Sequence, residues 1–172
     1  MPAANSPFAL NVADLVGRPG AQRRTQVVAP ASFGVELSRV SPGRPLVADL
    51  LLESLSEGVL VSGDVSFLAR HSCNRCLKEW EEDGSVPVMQ LYAHEPDEDG
   101  YRLEQGEMIH LEQLFRDEVS LAFPLAPLCR QDCRGLCPTC GADLNEAPCT
   151  GHDDESGSPF AVLSRLLEPG GD

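Results

Sequence analysis

The sequence predicts an α+β fold: an antiparallel β-meander covered by a helix, with a Cys-rich C-terminal segment. Three observations predict it. Apolar residues alternate with a period of two across residues 46–70. The period changes to that of a helix at 109–123. Six of the eleven Cys and His residues then crowd into 129–152. At 172 residues the chain is one domain's worth, and 42% hydrophobic with 23% charged residues is a globular composition.

Residues 1–45 read as a basic, weakly ordered arm, punctuated by Pro7, Pro19, Gly20, Pro30, Pro42, Gly43 and Pro45. Two short apolar pieces, Phe8-Ala9-Leu10-Asn11-Val12 and Val35-Glu36-Leu37, are expected as edge strands. The core is expected over 46–124. Leu46, Ala48, Leu50 and Leu52 share one face of a first strand. Val59, Val61, Gly63, Val65, Phe67 and Ala69 share one face of a second. A turn at Asp83-Gly84 is expected to lead into a third strand, Ser85 to Tyr92. Residues 93–107 carry six carboxylates and read as a solvated loop whose spacing fits no calcium site. Leu111, Leu114, Phe115, Val119 and Ala122 then line one face of a helix that Pro124 stops. Residues 125–155 are too poor in apolar side chains to build a core, so a Cys-rich module stapled by metal is expected there. Residues 156–172 are expected to form a short docking helix, with Pro159 in its first turn, and a tail.

The charge is uneven. Net charge is −14, with a net +3 over residues 1–45 and −17 over 46–172. Such a body repels nucleic acid. Any phosphate contact is therefore expected from the arm, through Arg18, Arg23 and Arg24. The plainer alternative is that these arginines solvate a loop or pair with the acidic body. No apolar run approaches the roughly 20 residues that cross a bilayer. Met1-Pro2-Ala3-Ala4-Asn5 shows no secretory pattern, so a cytoplasmic location without membrane contact is expected.

In a cytoplasmic chain, seven cysteines at short spacings point to metal rather than disulfides. Cys73-Asn74-Arg75-Cys76 and Cys137-Pro138-Thr139-Cys140-Gly141 are two Cys-x-x-Cys knuckles, each supplying one edge of a tetrahedron. Gly141 helps the backbone fold back toward the ligands. With Cys129, Cys133, Cys149 and His152 the inventory reaches eight ligands, enough for two structural zinc ions. One division joins Cys73, Cys76, Cys129 and Cys133, and Cys137, Cys140, Cys149 and His152. A rival joins the two knuckles as a zinc ribbon, and spacing alone leaves both open. A redox dithiol is the alternative, but a thioredoxin-like motif belongs before a helix. His71, His94 and His110 lack knuckle spacing and read as surface or packing residues. No catalytic fingerprint appears, so neither an enzyme nor a small-molecule substrate is expected.

Four passages carry a family resemblance. They are Gln22-Arg23-Arg24, Cys73-Asn74-Arg75-Cys76-Leu77, the run from Phe123-Pro124-Leu125 through Gly135-Leu136-Cys137-Pro138-Thr139-Cys140-Gly141-Ala142-Asp143-Leu144-Asn145, and Pro159-Phe160-Ala161-Val162-Leu163. Together they resemble the YceD family, the large ribosomal RNA subunit accumulation proteins. The likeness is to actinobacterial members with a C-terminal zinc-knuckle extension, and it covers about residues 20–167. It implies a non-enzymatic ribosome biogenesis factor in the cytoplasm. The implied partner is large-subunit ribosomal RNA or a ribosome-assembly protein. It also favours the first division of ligands, because some members keep the earlier set and lack the Cys137/Cys140 knuckle. His152 stands where many relatives place a cysteine. The rival functions are a zinc- or thiol-dependent enzyme and a generic zinc-stapled interaction module.

Overall fold

Among the described residues, nine elements follow one another: β1 (Ala9–Asn11), β2 (Gln22–Ala29), β3 (Ser38–Val40), β4 (Leu46–Ser54), β5 (Gly58–Ser72), β6 (Glu79–Ala93), β7 (Tyr101–Arg102), β8 (Met108–His110) and α1 (Leu111–Ala122). The structure is a computed structural model that describes residues 6–98, 100–149 and 151. The main sheet runs β2-β4-β5-β6-β7, antiparallel except for the parallel pair β6-β7, and β3 pairs with β5. At 15 residues, β5 outruns β4. Val47 pairs with Ser66, and further along β5 Val40 pairs with Ala69, so β3 and β4 share one side of β5.

The α+β architecture follows from the two periodicities. Leu46, Ala48, Leu50 and Leu52 are buried together with Val59, Val61, Val65, Phe67 and Ala69. On α1, Leu111, Leu114, Phe115 and Val119 turn to the core, and Phe115 meets Phe8 edge-on at 5.9 Å. The helix ends where Phe123 becomes extended ahead of Pro124. Ala122, expected inward, is exposed, and Phe123 packs edge-on against Phe67 instead.

Four expectations change. The described part of the expected arm, residues 6–45, is not loose: β2 pairs with β4 along its full length, and Phe8, Val12, Leu15, Val27 and Ala29 join the core. The Pro and Gly residues punctuate the connections between these pieces. The strand expected at Val35–Leu37 lies three residues later, as β3, and Val35 is exposed. Asp83 and Gly84 form no turn; they sit inside β6 opposite Leu68 and Phe67. A Cβ on Gly84 would lie 2.6 Å from the Phe67 ring, so the glycine makes room for an aromatic. Finally, the acidic loop contains β7, with Leu103 buried beside it.

His71 is a packing residue, buried, with Nδ1 2.7 Å from Ser38 Oγ. Among the described residues, no helix is long and apolar enough to cross a membrane. The helix expected at 159–167 lies outside the described residues.

Candidate metal centre

The turn between β5 and β6 is the first knuckle. Cys73 N–H donates to Lys78 O at 2.9 Å and Leu77 N–H to Cys73 O at 2.9 Å. The second knuckle repeats this pattern: Cys137 N–H donates to Ala142 O at 2.8 Å and Gly141 N–H to Cys137 O at 2.9 Å. The residue after the second cysteine is left-handed in both, with φ of 60° at Leu77 and 73° at Gly141. Such a turn directs two sulfurs to the same side, and Arg75 N–H also points at Cys73 Sγ, 3.4 Å away.

Backbone pairing brings the next two cysteines to this turn. Asn74 N–H donates to Pro127 O, Leu136 N–H to Arg75 O, and Arg75 Nη1 to Cys133 O at 2.7 Å. Gly135, at φ 78°, sits so close that a Cβ would lie 2.8 Å from Arg75 O; both the space and the conformation demand glycine. The sulfurs of Cys73, Cys76, Cys129 and Cys133 all lie within 4.8 Å of one another. Cys73 Sγ is 3.8 Å from Cys133 Sγ, and Cys76 Sγ is 3.6 Å from Cys129 Sγ. Four sulfurs about 2.3 Å from a tetrahedral zinc ion stand about 3.8 Å apart. A disulfide would bring two of them to about 2.05 Å. The donor set fits a metal ion.

A second group forms from Cys137, Cys140 and Cys149, also within 4.8 Å, with Cys140 and Cys149 sulfurs 3.9 Å apart. The two knuckles thus fall in separate groups rather than one ribbon site. His152, expected as the remaining ligand, lies outside the described residues. Asn145 braces the first group. Its Nδ2 approaches Cys133 Sγ at 3.6 Å, and its Oδ1 accepts from Arg134 N–H at 2.8 Å and Arg130 Nη2 at 2.9 Å. Sequence reasoning gave Asn145 no role; its only signal was its place at the end of the Gly135–Asn145 run.

Electrostatics favour a cation in the first group. Burial pushes the Cys73 thiol up, but amide N–H groups of Cys129, Cys76 and Arg75, with help from the Cys76 side chain, outweigh it and bring the thiol down to about 6. Cys129 is pushed up to about 12 by burial and by the sulfurs of Cys76, Cys133 and Cys73. The Lys78 amide draws Cys76 down, yet burial and the neighbouring Cys73 and Cys133 sulfurs leave it raised. Sulfurs this close cannot all ionise together unless a cation sits among them.

The remaining candidates stand apart. His71, His94 and His110 face Glu82, Glu107 and Glu104, away from the sulfurs. Arg23 is held by Asp14, Nη1 to Oδ1 at 2.6 Å, and by Asn11 O. Arg24 borders a cleft on the open face of the sheet near Asp49 and Asp64, and Arg18 is exposed in the turn before β2.

A family model described as "Large ribosomal RNA subunit accumulation protein YceD" matches residues 61–167. The chain is 39% identical to the uncharacterized protein Rv2926c of Mycobacterium tuberculosis, over 97% of this chain and 84% of that one. It is 36% identical to the uncharacterized protein ML1660 of Mycobacterium leprae, over 95% of this chain and 79% of that one. No solved structure matches.

Proposed function

Because the chain belongs to the YceD family of large ribosomal RNA subunit accumulation proteins, we propose that it is a non-enzymatic, zinc-stabilised ribosome biogenesis factor. It acts in the cytoplasm to support accumulation of large-subunit ribosomal RNA, with that RNA or a ribosome-assembly protein as its partner. The observation that carries the zinc assignment is the 3.6–3.8 Å spacing of paired sulfurs in the four-cysteine group. Cys73, Cys76, Cys129 and Cys133 hold one ion. Cys137, Cys140, Cys149 and His152 hold the other. Four thiolates fill a tetrahedral sphere and leave no position for substrate, which suits a structural role rather than a catalytic one. Residues 125–155 form a zinc-stapled module on the sheet-and-helix core.

Phosphate contact at the β2 end falls first to Arg18 and Arg24, since Arg23 must leave Asp14 to take part. The test is a tagged pull-down across sucrose-gradient fractions, reading protein and RNA together. The tagged chain is expected with large-subunit precursor particles. Its depletion is expected to lower large-subunit RNA relative to small-subunit RNA. A tag confined to free-protein fractions, with both RNAs unchanged on depletion, overturns the reading.

A further inference from the structure

A cleft of about 460 Å³ opens beside the four-cysteine group. Lys78, Trp80, Arg130, Asp143, Asn145 and Glu146 line it. That volume lies in the range of small-ligand sites, about 300–1,000 Å³.

Three chemistries converge here. The first is a flat aromatic surface. Trp80, the chain's only tryptophan, is half-buried, and its ring leans on the His71 imidazole with centroids 5.2 Å apart. His71 is in turn fixed by Phe123, edge-on at 5.7 Å, so the ring is backed by a rigid stack. The second is positive charge. Lys78 is exposed and has no ion-pair partner within 4 Å among the described residues. Arg130 is steadied by Asn145 Oδ1 at 2.9 Å and by Asp132 at 3.5 Å. In a chain of net charge −14, Lys78 and Arg130 balance Asp143 and Glu146 in the lining of this cleft, so a polyanion meets less repulsion there than over the rest of the body. The third is a pair of acceptors. The carboxylates of Asp143 and Glu146 turn away phosphate and take N–H donors.

A ligand that satisfies all three has a flat π face, an anionic group and N–H donors within one cleft's reach. An unpaired nucleotide has them. We propose that this cleft binds one unpaired nucleotide of single-stranded RNA, with its base stacked on Trp80 and its phosphate on Lys78 and Arg130. The choice of RNA rests on the ribosomal reading above. A base inside a duplex has both faces covered and does not fit this requirement.

Trp80 supplies the readout, because all tryptophan emission from the chain comes from the cleft. The zinc-loaded full chain is titrated with a short mixed-sequence single-stranded oligoribonucleotide, with the same sequence as a duplex, and with purified large-subunit ribosomal proteins. The single strand is expected to quench Trp80 emission in a saturable way, and the duplex is expected to leave it unchanged. One neutralised phosphate gives a slope of about −0.7 in log K against log salt. The variant Lys78→Ala/Arg130→Ala, checked for unchanged zinc content, is expected to lose that slope and at least about tenfold in affinity. Unchanged emission with the single strand, or equal affinity and slope in the variant, overturns the proposal. Quenching by a ribosomal protein but not by RNA also overturns it and makes the cleft a protein-docking site. Retained co-fractionation with precursor particles alongside unchanged emission overturns the cleft alone. Quenching without co-fractionation overturns the biogenesis reading and leaves the cleft standing.

Discussion

Leu77 and Gly141 occupy the same position in two copies of one turn, and only the glycine is at ease there. A left-handed L-residue costs about 1–2 kcal/mol, and Leu77 is 62% exposed, so packing offsets little of it. Leu77→Asn is therefore expected to raise stability by about 1 kcal/mol, since Asn tolerates this conformation. The urea midpoint would move up at constant slope; an unchanged or lower midpoint would contradict it. Asn145 gives a second test. It braces Cys133 Sγ and the Arg134 amide, the kind of outer contact whose loss costs about 10–100-fold in metal affinity. Asn145→Ala should show at least the lower end of that range in competition with a colorimetric chelator. The cysteines were legible from spacing because two ligands on a tight turn must lie close in sequence. Asn145 was not, because its partners Arg130, Cys133 and Arg134 lie 11–15 residues away and only the fold brings them to it. Leu77 was not, because a backbone dihedral leaves no trace in the residue that bears it unless that residue is glycine.

Elements were legible where one face is apolar and the other polar. β4, β5 and α1 show this, and their buried faces match the alternation. β2 and the first half of β6 did not announce themselves, because Gln22–Gln26 and, apart from Trp80, Glu79–Asp83 are polar and become strands through hydrogen bonds to β4 and β5 rather than through burial. Gly84 was misleading for a related reason: it was read for its freedom, whereas it serves for its small size. Gly84→Ala is expected to cost about 1–3 kcal/mol through overpacking on Phe67, visible as a lowered thermal midpoint with zinc content unchanged. The same strand carries a pH-dependent pair. Glu81 accepts from Ser41 Oγ at 2.6 Å and from Arg70 at 2.8 Å, and these hold its carboxyl below the ordinary 4.5. The unfolded chain thus takes up this proton first on acidification. The contribution is present above pH 4.5 and is lost as pH falls through the lowered folded value. Glu81→Gln should flatten the stability profile in that acid window and leave its neutral part parallel to wild type.

At the scale of the whole molecule, the chain divides by what holds it rather than by sequence position. The apolar core draws on residues from Phe8 to Phe123, and among the described residues nothing after Phe123 joins it; Leu125 is fully exposed. The following segment is tied down by hydrogen bonds to the first knuckle and by the sulfur groups. Structural zinc sites contribute about 10–16 kcal/mol apparent, against about 5–15 kcal/mol for a whole domain. Elemental analysis is expected to find close to two zinc ions per chain. The two sites are not equivalent. The four-cysteine group fastens the segment to the β5–β6 hairpin, whereas the described sulfurs of the second group, Cys137, Cys140 and Cys149, all belong to the segment itself. Cys140→Ser should therefore drop the zinc content to one and free amides near 137–149, while 127–136 stay protected. Cys76→Ser should release the whole stretch from 127 onward and leave the protection of β4, β5 and α1 in place. Hydrogen exchange followed by mass spectrometry separates these outcomes. Equal loss of protection in both variants would mean that the segment folds as one unit. Loss extending into β4 would mean that the metal holds the core as well, and with it the surface on which the Trp80 cleft is built.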